Sequence, residues 1–247
     1  MQISGKTDIG QRRAENQDSF ATGTLPSGGV WAIVCDGMGG HAGGSTASTM
    51  AAECIADRIK NGYSEKMPVQ SVKNMIESAI MFANAKIYNT AEKNPELSGM
   101  GTTVVVALCF RDIAVIAWAG DSRCYICEND NIIQLTRDHS LVQELVDSGN
   151  IAQEDADYHP MKNVITRALG LEDDIQVDFT EVSFGKSETT KKMLLLCTDG
   201  LSNLVSDDKI AECMCAENTE ESAEKLVCLA NENGGRDNIT AVVIAEN

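Results

Sequence analysis

Four apolar segments follow one another almost without interruption at residues 102–110, 113–119, 123–128 and 132–135. Arg111-Asp112, Gly120-Asp121-Ser122 and Asn129-Asp130-Asn131 join them. A parallel pair of strands needs a crossover of about a dozen residues or more, so links this short make the runs antiparallel neighbours in one sheet. A sheet with one wet face alternates apolar and polar side chains. Val104-Val105-Val106 and Ile113-Ala114-Val115-Ile116-Ala117-Trp118 do not alternate. The sheet is therefore expected to be covered on both faces.

Two helical stretches can supply one cover. Residues 45–60 are alanine-rich and stop at Asn61-Gly62. Residues 69–92 place Val72, Met75, Ile76, Ala79, Ile80, Ala83, Ile87 and Tyr88 at three-to-four spacing, a single apolar stripe in which methionine is core filler. The other cover is a second sheet. Its strands come from residues 2–10, a hairpin of 20–24 with 30–35, and residues 175–184, 193–197 and 239–245. Helices at 207–215 and 220–233 complete the stack. The expected fold class is α+β, a four-layer helix–sheet–sheet–helix sandwich of two mainly antiparallel β-sheets flanked by helix pairs. No repeat, low-complexity tract or linker divides the chain, so residues 1–247 are expected to form one domain. Residues 139–170 differ in texture, with a short helix at 141–148 and then a polar stretch. A flap is expected there, at about 139–165.

Composition narrows the partners. The formal net charge is −17 over 247 residues. A nucleic-acid binder needs a basic face, and an anionic membrane surface would repel this chain. A phosphorylated substrate meets the same repulsion unless bound cations reverse the local sign. The nine cysteines are odd in number and lack the spacing of a disulfide framework. A reducing, cytoplasmic compartment is expected. No apolar run approaches the ~18 residues of a membrane span, and the N-terminal residues lack an apolar signal core.

The chemistry concentrates at strand ends. In Ile33-Val34-Cys35-Asp36-Gly37-Met38-Gly39-Gly40-His41 an apolar run ends in an aspartate and a glycine-rich turn. Glycines there let backbone groups approach an ion or phosphate closely. Leu195-Leu196-Cys197-Thr198-Asp199-Gly200 repeats the device, and Gly234-Gly235-Arg236-Asp237-Asn238 precedes the last strand. An acid at a strand end is commonly a turn former; the repetition, together with Asp18, suggests a gathered set. Gathered carboxylates repel one another and shift upward in pKa unless a cation sits among them. A carboxylate and carbonyl set without histidine or thiolate favours Mg²⁺ or Mn²⁺ over zinc. Two such ions ~4 Å apart can share a water and clamp a transferring phosphoryl group. Arg13 offers a planar fork for phosphate oxygens.

The ordered set Arg13-x-x-Asn16-Gln17-Asp18, Asp36-Gly37-Met38-Gly39-Gly40-His41, Gly101-Thr102-Thr103, Gly120-Asp121-Ser122-Arg123, Asp138-His139-Ser140, Thr198-Asp199-Gly200-Leu201 and Asp237-Asn238-Ile239-Thr240 resembles the bacterial metal-dependent serine/threonine protein phosphatases of the PPM (type 2C) family. The resemblance spans residues 2–245 and implies a complete catalytic domain. It implies that Asp36 bridges two metal ions, that Asp199 and Asp237 complete the first, and that the Gly37 carbonyl binds the second. Asp18 would act through hydrogen bonds to metal-bound water or ligate weakly, and Arg13 would hold the substrate phosphate. Asp121, with Asp199, would match a third and weaker site. The implied reaction is hydrolysis of phosphoserine and phosphothreonine on proteins by a metal-bound hydroxide at a binuclear Mg²⁺ or Mn²⁺ centre. The implied partners are phosphorylated proteins, including a Hanks-type Ser/Thr kinase, for a protein expected to be monomeric.

The chain departs from the family pattern at two places. Animal and plant relatives carry a histidine, a proposed general acid, where this chain has Met38. Gln17 stands where some relatives have glutamate, leaving fewer protein ligands for the second ion.

Plainer readings compete at single residues. His41 could be a displaced acid, though helix capping is the simpler account. His139 sits at a helix entry. Cys124 and Cys127 are an odd offset apart on a strand and so face opposite ways. Cys213 and Cys215 share no helix face. Arg123 and Arg167 read equally as docking or as surface residues, and Asp121 equally as turn former or ligand. As a whole, the alternative to an enzyme is a catalytically inactive, phosphoprotein-binding regulatory relative; the intact Asp36, Asp199 and Asp237 set argues against it. A phosphodiesterase or nuclease is a third reading, disfavoured by the net charge.

Overall fold

A computed structural model describes residues 1–26, 28–129, 131–156, 158–185, 191–214 and 218–246, excluding the side chains of residues 41 and 42. Eleven strands are assigned among them: β1 (Gln2–Asp8), β2 (Asp18–Thr24), β3 (Val30–Met38), β4 (Gly101–Thr102), β5 (Val104–Phe110), β6 (Ile113–Ala119), β7 (Arg123–Glu128), β8 (Asn131–Gln134), β9 (Asp178–Ser183), β10 (Lys192–Cys197) and β11 (Ile239–Ala245). The helices are α1 (Gly40–Gly62), α2 (Val69–Lys93), α3 (Leu141–Asp147), α4 (Gln153–Ala156), α5 (Asp199–Ser202), α6 (Asp207–Met214) and α7 (Thr219–Glu232).

Two antiparallel sheets result, ordered β1-β11-β10-β7-β8 and β2-β3-β5-β6-β9, with β4 paired to the end of β3. Within single strands, successive side chains serve different layers. Trp31, Ile33 and Cys35 of β3 pack toward α1 and α2, while Val30, Ala32 and Val34 enter the layer between the sheets. In β11, Val242 and Ile244 enter that shared layer, and Ala241, Val243 and Ala245 pack toward α6 and α7. This two-sided burial explains why the strand sequences do not alternate. The four-layer helix–sheet–sheet–helix sandwich is the architecture expected from the sequence.

One expectation is overturned. The four runs between 102 and 135 are not neighbours in one sheet. β5 pairs with β6, and β7 pairs with β8, but β6 and β7 lie in different sheets. The chain crosses at Gly120, whose φ of 116° lies in the left-handed region that favours glycine. A short link excludes a crossover helix, but it does not exclude a passage between stacked sheets.

Two smaller differences concern the helices. α1 starts at Gly40, five residues before its expected start. Along α2, Val72, Ile76, Ala79, Ile80, Ala83 and Ile87 are buried as their spacing predicts. Met75 packs against that core, whereas Met81 is 45% exposed and fills nothing. Each fully buried Val or Ile side chain contributes roughly 1.5–3 kcal/mol, which is what seats α2 on the sheet. Cys124 and Cys127 fall in different core layers, facing opposite ways. Cys215 lies outside the described residues; the cysteines described are all free thiols.

Candidate metal centre

The ends of the two sheets meet at a cleft of about 570 Å³ lined in part by Arg13, Gly37, Asp36, Asp121, Asp199 and Asp237. Asp36 stands near the end of β3. Its backbone N–H donates to Thr103 Oγ1 (3.0 Å), and its carbonyl accepts from the Thr103 N–H (2.9 Å). Gly37 follows where no side chain fits, because a Cβ would run into the carbonyl oxygens of Gly44 and Gln17. Asp199 opens α5 immediately after β10. Asp237 precedes β11, and its Oδ1 accepts from the Asn238 N–H (2.9 Å).

Asp18 lies beneath this set, 8% exposed. Its Oδ2 accepts from Thr198 Oγ1 (2.9 Å) and Thr240 Oγ1 (2.7 Å). Thr240 lies on β11 of the opposite sheet and Thr198 directly follows β10 of that sheet, so these bonds tie the sheets together. Thr198 is held in turn by the Thr240 N–H (3.0 Å). The other oxygen of Asp18, Oδ1, is buried without a hydrogen-bond partner. Buried polar atoms are nearly always satisfied, so this oxygen calls for one.

The acids perturb one another. Burial raises Asp36 well above the usual carboxylate range, and the Asp18 and Asp199 charges add to the shift. Burial and the charge of Asp237 push Asp199 up to about 6, held back by a hydrogen bond with Asp36. Burial raises Asp18 to about 7 against the opposing pull of Thr240 and Thr198. Burial and Asp199 raise Asp121 to about 8. Though deeply surrounded, Asp36, Asp121 and Asp199 each keep an edge open to solvent.

This donor set fits divalent oxygen-seeking cations. Asp36 and Asp199 line the same cleft, and the Asp199 charge raises Asp36; acids gathered so call for a proton or a cation among them. Among the described residues, no three His, Cys, Asp or Glu side chains close into a ready-made cage.

Arg13 reaches the rim, where its Nη2 donates to Asp237 Oδ2 (2.6 Å). That bond holds the guanidinium pKa above its ordinary value. Met38 and Gln17 line the cleft. The His41 side chain lies outside the described residues. Arg123 is committed to Asp138 through a forked pair (Nη2 to Oδ2, 2.7 Å), and Arg167 to Asp178 (3.1 Å).

A model of the protein phosphatase 2C family matches residues 8–230. The chain belongs to this family. The serine/threonine phosphatase Stp of Listeria innocua is 39% identical over 248 residues, covering 100% of this chain and 96% of that protein. Stp1 of Staphylococcus aureus, a serine/threonine phosphatase of known structure, superposes with a TM-score of 0.91 at 33% identity, covering 99% of this chain and 94% of that one. The catalytic domain of the serine/threonine protein phosphatase PstP, solved in complex with two manganese ions, gives a TM-score of 0.83 at 32% identity over 98% of this chain and 96% of its own. As a family member the chain is a phosphoprotein phosphatase, a metal-dependent phosphoric monoester hydrolase.

Sequence reasoning brought Arg13, Asp36, Gly37, Asp121, Asp199 and Asp237 to this cleft. It passed over Thr198 and Thr240, the hydroxyls that hold Asp18. Both stood in the quoted motifs, without a local signal that tied them to Asp18. It also passed over Asn238, which accepts the Gln17 N–H (2.8 Å) and donates to the Ile9 and Glu15 carbonyls (2.9 Å each).

Proposed function

We propose that this chain hydrolyses phosphoserine and phosphothreonine esters on proteins at a centre of two Mg²⁺ or Mn²⁺ ions. The observation that carries the reading is the gathering of Asp36, Asp121, Asp199 and Asp237 with Arg13 around one cleft, beside a buried Asp18 oxygen that has no hydrogen-bond partner among the described residues. Asp36 would be shared between the two ions, Asp199 and Asp237 would complete the first, and the Gly37 carbonyl would serve the second. Asp121, with Asp199, would hold a weaker third. Bound divalent ions supply an activated water and neutralise the phosphate charge.

The chain's own residues do the rest. Arg13 presents its guanidinium at the rim and binds and orients the phosphate. Asp18, fixed by Thr198 and Thr240, aims its free oxygen as a hydrogen-bond acceptor for coordinated solvent. Met38, apolar, keeps no proton to give, so protonation of the leaving serine oxygen falls to solvent. Residues 1–247 act as one catalytic domain, with residues 139–165 as a flap beside the cleft. Asn163 and Ile165, which line the cleft, support that placement.

The partners follow from the chemistry: phosphorylated proteins, among them a Hanks-type Ser/Thr kinase. The protein acts as a monomer in the cytoplasm, away from nucleic acid and membrane. In support, the net charge is −17, the described cysteines are free, and no helix among the described residues is long and apolar enough to cross a membrane. The test is turnover of p-nitrophenyl phosphate and of a phosphothreonine peptide as Mn²⁺ or Mg²⁺ is titrated. Saturable, metal-dependent release of phosphate from both is expected. Phosphate release unaffected by chelator would sink the reading.

A further inference from the structure

His139 is bonded twice to one residue of the turn that carries Asp121. Its N–H donates to the Gly120 carbonyl (3.0 Å), and its Nδ1 accepts from the Gly120 N–H (3.0 Å). The second bond fixes the tautomer: Nδ1 is bare, so Nε2 carries the proton. Nε2 lies 3.1 Å from Asp178 Oδ2, at the start of β9, to which it donates, and 3.0 Å from Arg167 Nη1, from which a protonated Nε2 does not accept. Arg167 Nη1 donates to the other oxygen of Asp178 (3.1 Å). The ring stacks on Trp118, with centroids 6.2 Å apart and planes 11° from parallel.

The same residue closes the flap at its base. The His139 carbonyl accepts from the Thr166 N–H (2.8 Å), and the Leu141 N–H donates to Val164 (2.8 Å). Ser140 and Ile165 form an antiparallel bridge between these two bonds. His139 therefore touches three parts: the Gly120–Asp121 turn at the end of β6, the two ends of the flap, and β9, which also pairs with β6. Two of these parts reach the cleft, through Asp121 on one side and Asn163 and Ile165 on the other. His139 does not line the cleft and touches no reacting atom.

We propose that His139 is a positioning residue that sets the flap against the Asp121 turn and so fixes the width of the cleft presented to a phosphopeptide. Its neutral form is the working one. Burial lowers its pKa, and Asp178, Arg167 and Asp138 are the charged groups that face it. The inference deepens the phosphatase reading and rests on it. It assigns the clamp to peptide binding, not to chemistry, because Asp36, Asp199 and Asp237 stand on strand ends that His139 does not contact.

Asparagine and glutamine separate the two ring nitrogens. His139→Asn places an acceptor near the position of Nδ1 and keeps the Gly120 bond. His139→Gln reaches the Nε2 position and loses it. In the Mn²⁺-loaded full chain, His139→Gln is expected to raise KM for a phosphothreonine peptide about tenfold, the scale of one lost buried hydrogen bond. Its kcat on p-nitrophenyl phosphate should stay within about threefold of wild type, and trypsin should cut faster at the exposed Lys162 of the flap. His139→Asn should stay within about threefold on all three measures. Equal behaviour of the two variants, or a loss of kcat on both substrates with KM unchanged, would overturn the proposal. Should His139→Gln not fold, His139→Ala, which removes both ring bonds, decides: faster cleavage at Lys162 with a raised peptide KM supports the clamp, and wild-type values refute it. A wild-type chain without any turnover would sink the phosphatase reading instead, while the trypsin comparison would still judge the clamp.

Discussion

Asp18 on β2 stands directly opposite Asp36 on β3, two acids in register on neighbouring strands of one sheet. Like charges placed so are destabilising. Thr198 and Thr240 relieve one oxygen of Asp18 from the facing sheet, and among the described residues nothing relieves the other. The pair is expected to cost stability in the bare protein, and divalent cations to recover it.

Asp36→Asn is therefore expected to separate function from folding. Turnover should vanish, since the carboxylate serves the ions and not the core. The chelator-treated variant should melt higher than chelator-treated wild type, because one repelled charge is gone. A gain of about 1 kcal/mol corresponds to roughly 2–4 °C for a chain of this size. Calorimetry in EDTA, beside a phosphate-release assay, checks both halves; measurable activity in the variant would contradict the site.

Stability of the stripped protein should fall as pH rises. Asp18 and Asp199 have folded pKa values raised to about 7 and about 6, and Asp121 to about 8, above the ordinary 3.8. An acid whose folded pKa is raised binds its proton more tightly in the folded chain. Its contribution is full below the unfolded value and is lost as pH climbs through the folded one. The urea midpoint in EDTA should thus be higher at pH 5 than at pH 8.5, and Mn²⁺ should restore the loss at the upper pH. A midpoint that rises with pH in EDTA would count against the cluster.

Arg13→Ala should act on binding. A charged hydrogen bond is worth roughly 1.5–3 kcal/mol, which predicts a KM for phosphate monoesters raised about tenfold or more with kcat little altered. Steady-state kinetics on p-nitrophenyl phosphate distinguish this from a pure fall in kcat, which would place the guanidinium in the transition state.

Gly37→Ala tests the crowding beside the metal centre. The new methyl group meets two backbone carbonyls, those of Gly44 and Gln17, and neither is a side chain that can swing away. A cost of about 1–3 kcal/mol is expected, with loss of activity as β3 and the start of α1 are forced apart. The change in thermal midpoint measures it, and an unaltered midpoint would show that the turn has room.

Asp36 and Asp199 were legible because each ends an apolar run and is followed by glycine, as in Cys35-Asp36-Gly37 and Cys197-Thr198-Asp199-Gly200. The division of strands between the sheets was not. Val104–Phe110 is buried along its whole length, so its pattern cannot say which sheet a neighbour joins. The start of α1 was hidden for a different reason. Gly39, Gly40, Gly43 and Gly44 read locally as a turn, yet a Cβ at Gly44 would meet Gln17 Oε1 at 2.6 Å and one at Gly43 would press Met100 at 3.0 Å. Glycine is there to let the helix approach, a demand set by distant residues. The threonines under Asp18 had no local mark either, since threonine is ordinary in strands. Only the fold reveals which carboxylate they serve.

Neither sheet alone owns the centre: Asp18 and Asp36 arrive with one, Asp199 and Asp237 with the other. Catalytic competence is thus a property of the seam. A substitution far from the cleft that lets the two slabs slide, such as one at Ile244 or Val34 in the shared layer, would detune the centre while leaving every strand and helix in place.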